Sequence, residues 1–409
     1  MNLIIRNAKL RGSNSPVDIG VEGGRIAAIE PKLAAHAETE IDANGMLVSE
    51  SFANPHLHLC KVYTLYMMGD ETIQNYQDQG TMGKAMTGIE LAARVKENYD
   101  ESWIIKNVRR AVALAAIYGN THIRAFADVD SKARLEGVKA LLRAREEFKG
   151  IVDIQVVPFA QDGLIREPGT LELMREAMAL GSDVVGGIPW LEYTVDDEQR
   201  HVDELFSLAK EFDKPVSMLV DDAGDPGLRT LEMMAVKAIQ QGWQGRVLAH
   251  HARAMSLYPK PYFQKLAALL KAANMGVVSD PHTGPLHARV KEMLAEGVLV
   301  CLGQDDVTDA YYPFGRNNML EVAFLAAHLL WMFSEAEMEQ LYTMITRDAA
   351  RAMGLTDFSL RVGAPAHLVV LDVLTVWEAL RYHEAPAAVI SHGRLVDRGA
   401  MQAIVRENG

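Results

Sequence analysis

Eight short apolar segments recur along the middle of the chain, and longer segments with helical periodicity separate them. The apolar segments span residues 52–59, 121–127, 151–159, 183–188, 215–220, 246–250, 276–279 and 298–303. Strands that alternate with helices pair in parallel through right-handed crossovers. Eight such units predict an α/β fold, a (β/α)8 TIM barrel over residues 49–355. A doubly wound open sheet is the alternative, but no G-x-G-x-x-G sequence follows any of these segments.

Both ends of the chain contain shorter strand-like segments with tight turns. They lie at residues 3–5, 17–21 and 24–29 near the start, and at 367–371, 387–390 and 393–396 near the end. Neither set is large enough to bury a core of its own. We therefore expect one small β-sandwich domain that is formed by the N- and C-terminal segments, residues 1–48 and 356–409.

Composition excludes several classes of function. The net charge of −13 disfavours a nucleic-acid partner, which requires basic patches. Cys60 and Cys301 are the two cysteines of 409 residues, so a disulfide framework is not expected and a reducing cytoplasm fits. The start of the chain lacks the apolar core of a signal peptide. The longest apolar run, residues 322–333, is interrupted by His328 and is too short to span a bilayer. We expect a cytoplasmic protein that contacts neither membrane nor nucleic acid.

Polar residues cluster where the predicted strands end. The first segment carries His56 and His58, and residues i and i+2 of a strand point to the same side. Two converging imidazoles make half of a transition-metal site, although two histidines buried for structural reasons would show the same spacing. Chemistry in a TIM barrel lies at the carboxyl ends of the strands. The other ends carry Gln161 and Asp162, Asp221 and Asp222, His250 and His251, Asp280 and His282, and Gln304, Asp305 and Asp306.

In the order and spacing of these motifs, the chain resembles the amidohydrolase superfamily, and within it bacterial cytosine deaminase and the triazine side-chain hydrolases. The resemblance covers most of the chain. It rests on Pro55-His56-Leu57-His58, Phe159-Ala160-Gln161-Asp162-Gly163, His251-Ala252-Arg253-Ala254-Met255 and Gly303-Gln304-Asp305-Asp306-Val307, together with residues 123–129, 183–189, 289–294 and 312–315. It implies a metal-bearing barrel with a β-sandwich made from both termini, which agrees with the strand pattern.

The resemblance implies roles for individual residues. His56, His58 and Asp305 match metal ligands, and Asp305 also matches the base that takes a proton from the attacking water. His251 matches a histidine that hydrogen-bonds this water, and Gln161 matches a glutamine that holds the amide-like edge of the substrate. The fifth strand departs from the family pattern, because Leu219 stands in the place of a metal-binding histidine and Asp222 in the place of a glutamate. Gln304 and Phe126 also replace histidines of the relatives.

The remaining ligands still form a plausible site for one divalent metal ion, Zn, Fe(II) or Mn(II). His251 or its neighbour His250 would supply the fourth ligand, and the family register favours His251. Asp222 is the candidate acid that protonates the leaving group, while Asp221 and Asp222 would equally suit the capping of the next helix. Lys61, Arg124 and Arg253 are candidates for binding a substrate carboxylate. Trp190, Tyr311 and Tyr312 are candidates for packing against a planar ring.

These residues predict a metal-dependent hydrolase of the deaminase type that acts on a carbon–nitrogen bond of a small planar nitrogen heterocycle. Because of Leu219, the loss of an alkylamine, or of sulfide from a thiohydantoin-like ring, is an alternative to the loss of ammonia. A second alternative is a catalytically inactive binding protein on the same fold. An oxidoreductase has little support, since a dinucleotide motif is missing. Enzymes of this kind are commonly homo-oligomers, and we expect one here.

Overall fold

The computed structural model describes residues 1–13, 15–68 and 85–409, which form sixteen strands and thirteen α-helices. The strands are β1 Leu3–Leu10, β2 Val17–Glu22, β3 Arg25–Glu30, β4 Thr39–Asp42, β5 Leu47–Glu50, β6 Phe52–Leu57, β7 Asn120–Asp128, β8 Asp153–Phe159, β9 Val185–Gly187, β10 Val216–Val220, β11 Val247–His251, β12 Gly276–Ser279, β13 Val300–Leu302, β14 Leu368–Val370, β15 Ala388–Ser391 and β16 Arg394–Leu395. The helices are α1 Ala85–Lys96, α2 Glu101–Ile117, α3 Glu136–Glu147, α4 Thr170–Ala179, α5 Val195–Phe212, α6 Thr230–Gln240, α7 Lys260–Ala272, α8 Val290–Ala295, α9 Met319–Leu329, α10 Glu335–Met344, α11 Arg347–Ala352, α12 Val376–Tyr382 and α13 Arg398–Glu407.

Side chains in the sequence determine where several of these helices begin. Asp100 precedes α2 and accepts a hydrogen bond from the backbone N–H of Ser102. Ser334 and Thr375 each form a capping box with a glutamate three residues later, at the starts of α10 and α12. Such caps satisfy backbone N–H groups that have no partner within the helix. These caps therefore fix the residue at which each of the three helices begins.

Strands β6 to β13 form one parallel sheet in chain order, and each overlaps one of the eight predicted apolar segments. The sheet closes just beyond β13, where the Asp305 N–H donates to His56 O at 2.9 Å and the His58 N–H donates to Asp305 O at 2.8 Å. The predicted (β/α)8 barrel is confirmed. Its closure places Asp305 directly beside the two histidines of the first barrel strand.

The terminal segments form the second sheet, in the order β16-β15-β14-β5-β1-β2-β3, with β4 also paired to β1. Strand β1 pairs with β2 and β4 through its first half and with β5 through Lys9 and Leu10. A register shift near Asn7, whose φ is 51°, separates the two halves. Its apolar core joins residues of both chain ends, among them Ile5, Val48 and Leu368. A small β domain made from both termini is therefore confirmed.

The exact division between the two domains remains a prediction. Strand β5 of the terminal sheet spans the expected boundary at residues 48 and 49, and β6 of the barrel follows it after one residue. The C-terminal helix α13 packs against the barrel helix α2, and its Met401 belongs to the main apolar core. Within the described ranges, we find no helix that is long and apolar enough to cross a membrane.

Candidate active site

Four side chains from three barrel strand ends converge on one point at the carboxyl end of the barrel. His56 and His58 come from β6, His251 ends β11, and Asp305 follows β13. One ligand atom from each of these residues lies within 4.8 Å of the corresponding atom of every other. Asp305 Oδ1 is 2.9 Å from His56 Nε2, 3.6 Å from His58 Nε2 and 3.9 Å from His251 Nε2. We call these four residues the metal cluster. The structure brings together the candidate ligands that were named from the sequence, and their role as ligands stays a prediction.

Burial and mutual contact set the charges of the metal cluster. All four residues are at most 3% exposed. Burial lowers the pKa of His56, His58 and His251, so these imidazoles are neutral near pH 7. Burial opposes ionisation of Asp305 as well, but its pKa lies well below the usual range, because His251 attracts the carboxylate when protonated and His56 hydrogen-bonds to it. Neutral imidazoles and an ionised carboxylate are the forms that bind divalent metals, so the donor set fits such an ion.

Asp280, at the end of β12, orients His251. Its Oδ1 and Oδ2 lie 2.9 Å and 2.8 Å from His251 Nδ1. Because Nδ1–H donates to this carboxylate, the lone pair of Nε2 is directed toward Asp305. The φ angles of His251 and Asp305, 68° and 65°, lie in the left-handed region that non-glycine residues rarely adopt. Such local strain is typical of functional positions, and here it turns both side chains inward at the ends of their strands.

A cavity opens above the metal cluster, and its polar side contains Lys61 and Gln161. Lys61 Nζ donates to Gln161 Oε1 at 2.8 Å and lies 5.0 Å from the centre of the Tyr311 ring. Burial alone would lower the pKa of Lys61. The nearby acidic groups outweigh burial and raise this pKa, so the ammonium stays charged; they belong to Asp128, Asp306 and Asp309. The predicted substrate residues Lys61, Gln161, Trp190 and Tyr311 all line this cavity, as does Asp222.

Several residues that line the cavity are apolar. Leu219, where the resemblance implied a metal-binding histidine, packs in one cluster with Ile188, Trp190 and Ile89. Leu219 is 3% exposed and offers no ligand atom. The cavity therefore combines hydrogen-bonding groups with hydrophobic side chains, a combination common in sites for small organic ligands.

The two adjacent aspartates after β10 have different partners. Asp221 Oδ1 accepts hydrogen bonds from the N–H and hydroxyl of Thr230 at the start of α6, and its Oδ2 accepts from the Tyr258 hydroxyl at 2.6 Å. Asp222 instead lines the cavity, where its Oδ1 accepts from Arg253 Nη1. Helix capping and placement at the site were alternatives for this pair. The first describes Asp221, and the second describes Asp222.

Arg124, a predicted substrate residue, does not line the cavity. It lies inside the barrel on β7, where its guanidinium donates to Gln155 Oε1, Ser217 Oγ and the carbonyl oxygen of Met353. These acceptors give Arg124 a structural role, and its assignment to substrate binding is corrected accordingly. Arg253, by contrast, lines the cavity.

His250 and His251 both lie inside the barrel, although neighbouring residues of a regular strand point to opposite faces. The left-handed φ of His251 explains the difference. The His250 ring packs 4.5 Å from the ring of His56 and 5.1 Å from that of Phe126. Its two nitrogens have no hydrogen-bond partner in the described part of the chain. His251 therefore belongs to the metal cluster, and His250 packs beneath it.

Sequence reasoning assigned no role to two residues that contact the metal cluster. Asp280 was visible as a polar residue at a strand end, so its position pointed to the site but not to its partner. Thr283 donates a hydrogen bond to Asp305 Oδ2 at 2.7 Å. A threonine in a loop carries no signal of this kind in the sequence. Tyr312, a further candidate for ring packing, contacts His282 at 5.2 Å between ring centres.

Known proteins share this architecture. A model of the amidohydrolase family matches residues 39–397. The chain is 31% identical over 396 residues to the N-isopropylammelide isopropyl amidohydrolase of Pseudomonas sp. (strain ADP), with 97% of each chain covered. It superposes with a TM-score of 0.88 and 30% identity on 5-methylcytosine deaminase from Klebsiella pneumoniae liganded with phosphonocytosine, covering 96% of this chain and 98% of that one. It superposes on N-isopropylammelide isopropylaminohydrolase from Burkholderia multivorans ATCC 17616 with a TM-score of 0.83 and 27% identity, covering 97% of this chain and 98% of that one.

Proposed function

Because this chain belongs to the amidohydrolase family, we propose that it is a metal-dependent hydrolase that adds water to a ring carbon of a small planar nitrogen heterocycle. The observation that carries the proposal is the convergence of His56, His58, His251 and Asp305 beneath a cavity lined by Lys61 and Gln161. Relatives that act on N-isopropylammelide and 5-methylcytosine support a substrate of this class.

The metal cluster would hold one divalent ion, Zn, Fe(II) or Mn(II), through the three imidazoles and Asp305. Such an ion lowers the pKa of water to about 7 and so supplies hydroxide at neutral pH. Asp305 is the base in this proposal, since its carboxylate is ionised, buried and central among the imidazoles. His251, held by Asp280, directs Nε2 toward the same point and would orient the water.

Asp222 is the proposed acid that gives a proton to the leaving group. It lines the cavity, and its Oδ2 lies 4.0 Å from His251 Nε2. The substrate ring would lie between the two sides of the cavity. Lys61 and Gln161 would bind its oxygen or nitrogen edge, while Trp190 and Tyr311 would pack against its face.

Leu219 bears on which group leaves the ring. It gives the cavity an apolar side, together with Ile188 and Ile89, where a polar ligand side chain would otherwise lie. An apolar wall favours a bulky or polarisable substituent over a bare amino group. We therefore propose an alkylamine, or sulfide from a thiohydantoin-like ring, as a leaving group in addition to ammonia.

The test combines metal analysis with a substrate panel. We expect about one metal ion per purified chain and loss of this ion in Asp305→Asn. The panel comprises amino-, alkylamino- and thio-substituted heterocycles, with separate detection of ammonia, amine and sulfide. Turnover of one class by the metal-loaded protein, and none by Asp305→Asn, supports the proposal. Failure to take up any of the three metals would leave the inactive binding protein as the better description, because Leu219 would then have disabled the site.

We further propose that the protein is cytoplasmic and forms a homo-oligomer. Both cysteines, Cys60 and Cys301, are free and buried, which suits a reducing compartment. Trp331 is 75% exposed and Trp377 is 49% exposed, and large exposed aromatic side chains are frequent where protein subunits meet. Light scattering after gel filtration measures the oligomeric state, and a monomer at micromolar concentration would contradict the proposal.

A further inference from the structure

The guanidinium of Arg253 lies among three carboxylates at the edge of the metal cluster. Its Nη1 donates a hydrogen bond to Asp222, and its Nη2 lies 3.3 Å from Asp280 Oδ1 and 3.4 Å from Asp305 Oδ2. Nη2 also donates to the Thr283 hydroxyl. The side chain is 4% exposed, so water screens these contacts only weakly. One buried cation thus joins the ends of three barrel strands around the cluster.

The two oxygens of Asp305 have separate partners. Oδ1 faces the Nε2 atoms of His56, His58 and His251. Oδ2 faces the other way, where the Thr283 hydroxyl donates to it and Arg253 Nη2 lies nearby. Because Oδ2 is held on that side, Asp305 offers a single oxygen to the metal cluster.

Asp222 is close enough to the metal cluster to compete for a metal ion. Its Oδ2 lies 4.0 Å from His251 Nε2, while its Oδ1 is bonded to Arg253. Carboxylates are strong ligands for divalent cations, and Leu219, which lines the same cavity, offers no ligand atom that would compete with Asp222. Without the hydrogen bond from Arg253, the Asp222 carboxylate would be free to approach the cluster.

We propose that Arg253 is a positioning residue that keeps Asp222 out of the coordination sphere and restricts Asp305 to one coordinating oxygen. Coordination positions therefore stay open for water and substrate, and Asp222 remains available as an acid. This inference rests on the proposed metal site and concerns what sets its ligand number. It also assigns Arg253 to the protein's own carboxylates, because its guanidinium donates to oxygens of Asp222, Asp280, Thr283 and Asp305.

Two variants separate charge from geometry. Arg253→Met removes both the cation and the planar donor fork, whereas Arg253→Lys keeps a cation but cannot bridge several carboxylates at once. Arg124→Met is the matched control, since Arg124 is also buried with several protein acceptors but lies outside the cavity. The measurements are Zn²⁺ and Co²⁺ affinity of the metal-free protein by chelator competition, the visible spectrum of the Co²⁺ form, and the melting temperature without metal.

Removal of the charge should strengthen metal binding. We expect Arg253→Met to bind Zn²⁺ at least about 10-fold more tightly, because a repelling cation is lost and Asp222 becomes a ligand. Its Co²⁺ form should absorb more weakly than the wild type, as expected for a higher ligand number. Arg253→Lys should stay within about threefold of the wild-type affinity, because it keeps a cation that attracts Asp222 and repels the metal ion. Arg124→Met should lower the melting temperature and leave metal affinity and spectrum unchanged.

A structural role alone would produce the opposite pattern. Metal affinity that falls or stays the same in a folded Arg253→Met, or an unchanged Co²⁺ spectrum, would overturn the inference. If Arg253→Met does not fold, a tenfold or greater loss of affinity in Arg253→Lys would do so. Wild-type protein that binds no metal would refute the proposed function itself, which distinguishes the two failures.

Discussion

Replacement of Asp280 by asparagine should weaken metal binding without unfolding the barrel. His251 Nδ1 lies 2.9 Å from Asp280 Oδ1 and 2.8 Å from Oδ2, and Arg253 Nη2 lies 3.3 Å from Oδ1. An asparagine amide has one oxygen, so one of the two carboxylate positions becomes an NH₂ group that faces the donor of His251. The imidazole then keeps only one of the two contacts that direct its Nε2 toward Asp305.

The size of the effect follows from the role of Asp280 as the outer partner of a metal-binding histidine. Loss of such a partner commonly weakens metal affinity by about 10- to 100-fold. At 1.36 kcal/mol for each factor of ten, this corresponds to about 1.4–2.7 kcal/mol of binding free energy. We expect the loss of metal-binding free energy in Asp280→Asn to lie within this range, because the remaining oxygen still accepts one hydrogen bond.

The assay titrates metal-free protein with Zn²⁺ or Mn²⁺ in competition with a coloured chelator. Asp221→Asn is the matched control: Asp221 also follows a barrel strand, but its carboxylate bonds Thr230 and Tyr258 and none of the metal cluster. We expect this control to lose thermal stability and to keep its metal affinity. Equal affinity of Asp280→Asn and wild type would refute the orienting role, and an equal loss in both variants would point to general destabilisation.

Three further outcomes are expected. Asp305→Asn should abolish turnover while circular dichroism shows a folded protein, and retained activity would remove Asp305 from the mechanism. Leu219→His should tighten metal binding by at least about 10-fold in the competition assay, since it adds an imidazole beside the cluster; unchanged affinity would mean that position 219 does not reach the metal. Burial, with the nearby charges of Asp221 and Asp225, raises the pKa of Glu198 to about 7. A carboxyl group whose pKa is higher in the folded protein than in the unfolded one makes the fold less stable as pH rises from about 4.5 to about 7. The free energy of unfolding of Glu198→Gln, measured with urea, should therefore rise by about 1–3 kcal/mol relative to the wild type across that interval. Parallel pH profiles of the two proteins would contradict this.

Local patterns were sufficient to predict the fold. The alternation of apolar segments with amphipathic helices depends only on near neighbours in the chain, and it located every strand of the barrel. The pair His56 and His58 follows from the two-residue period of a strand, which is also local. The position of chemistry at strand ends follows from the barrel itself, so Asp305, His251 and Asp222 could be anticipated at the site.

The sequence by itself thus determined the barrel, the terminal β domain and the chemical types gathered at one rim. The tertiary structure decided which member of each group faces the cavity, because direction depends on register and on backbone turns at strand ends. The left-handed φ of His251 brings both adjacent histidines inside. Arg124 and Arg253 look equivalent in sequence, but one lies within the barrel and the other among the carboxylates of the site. Contacts between residues distant in the chain settle such choices, since each depends on the height and angle at which separate strands meet.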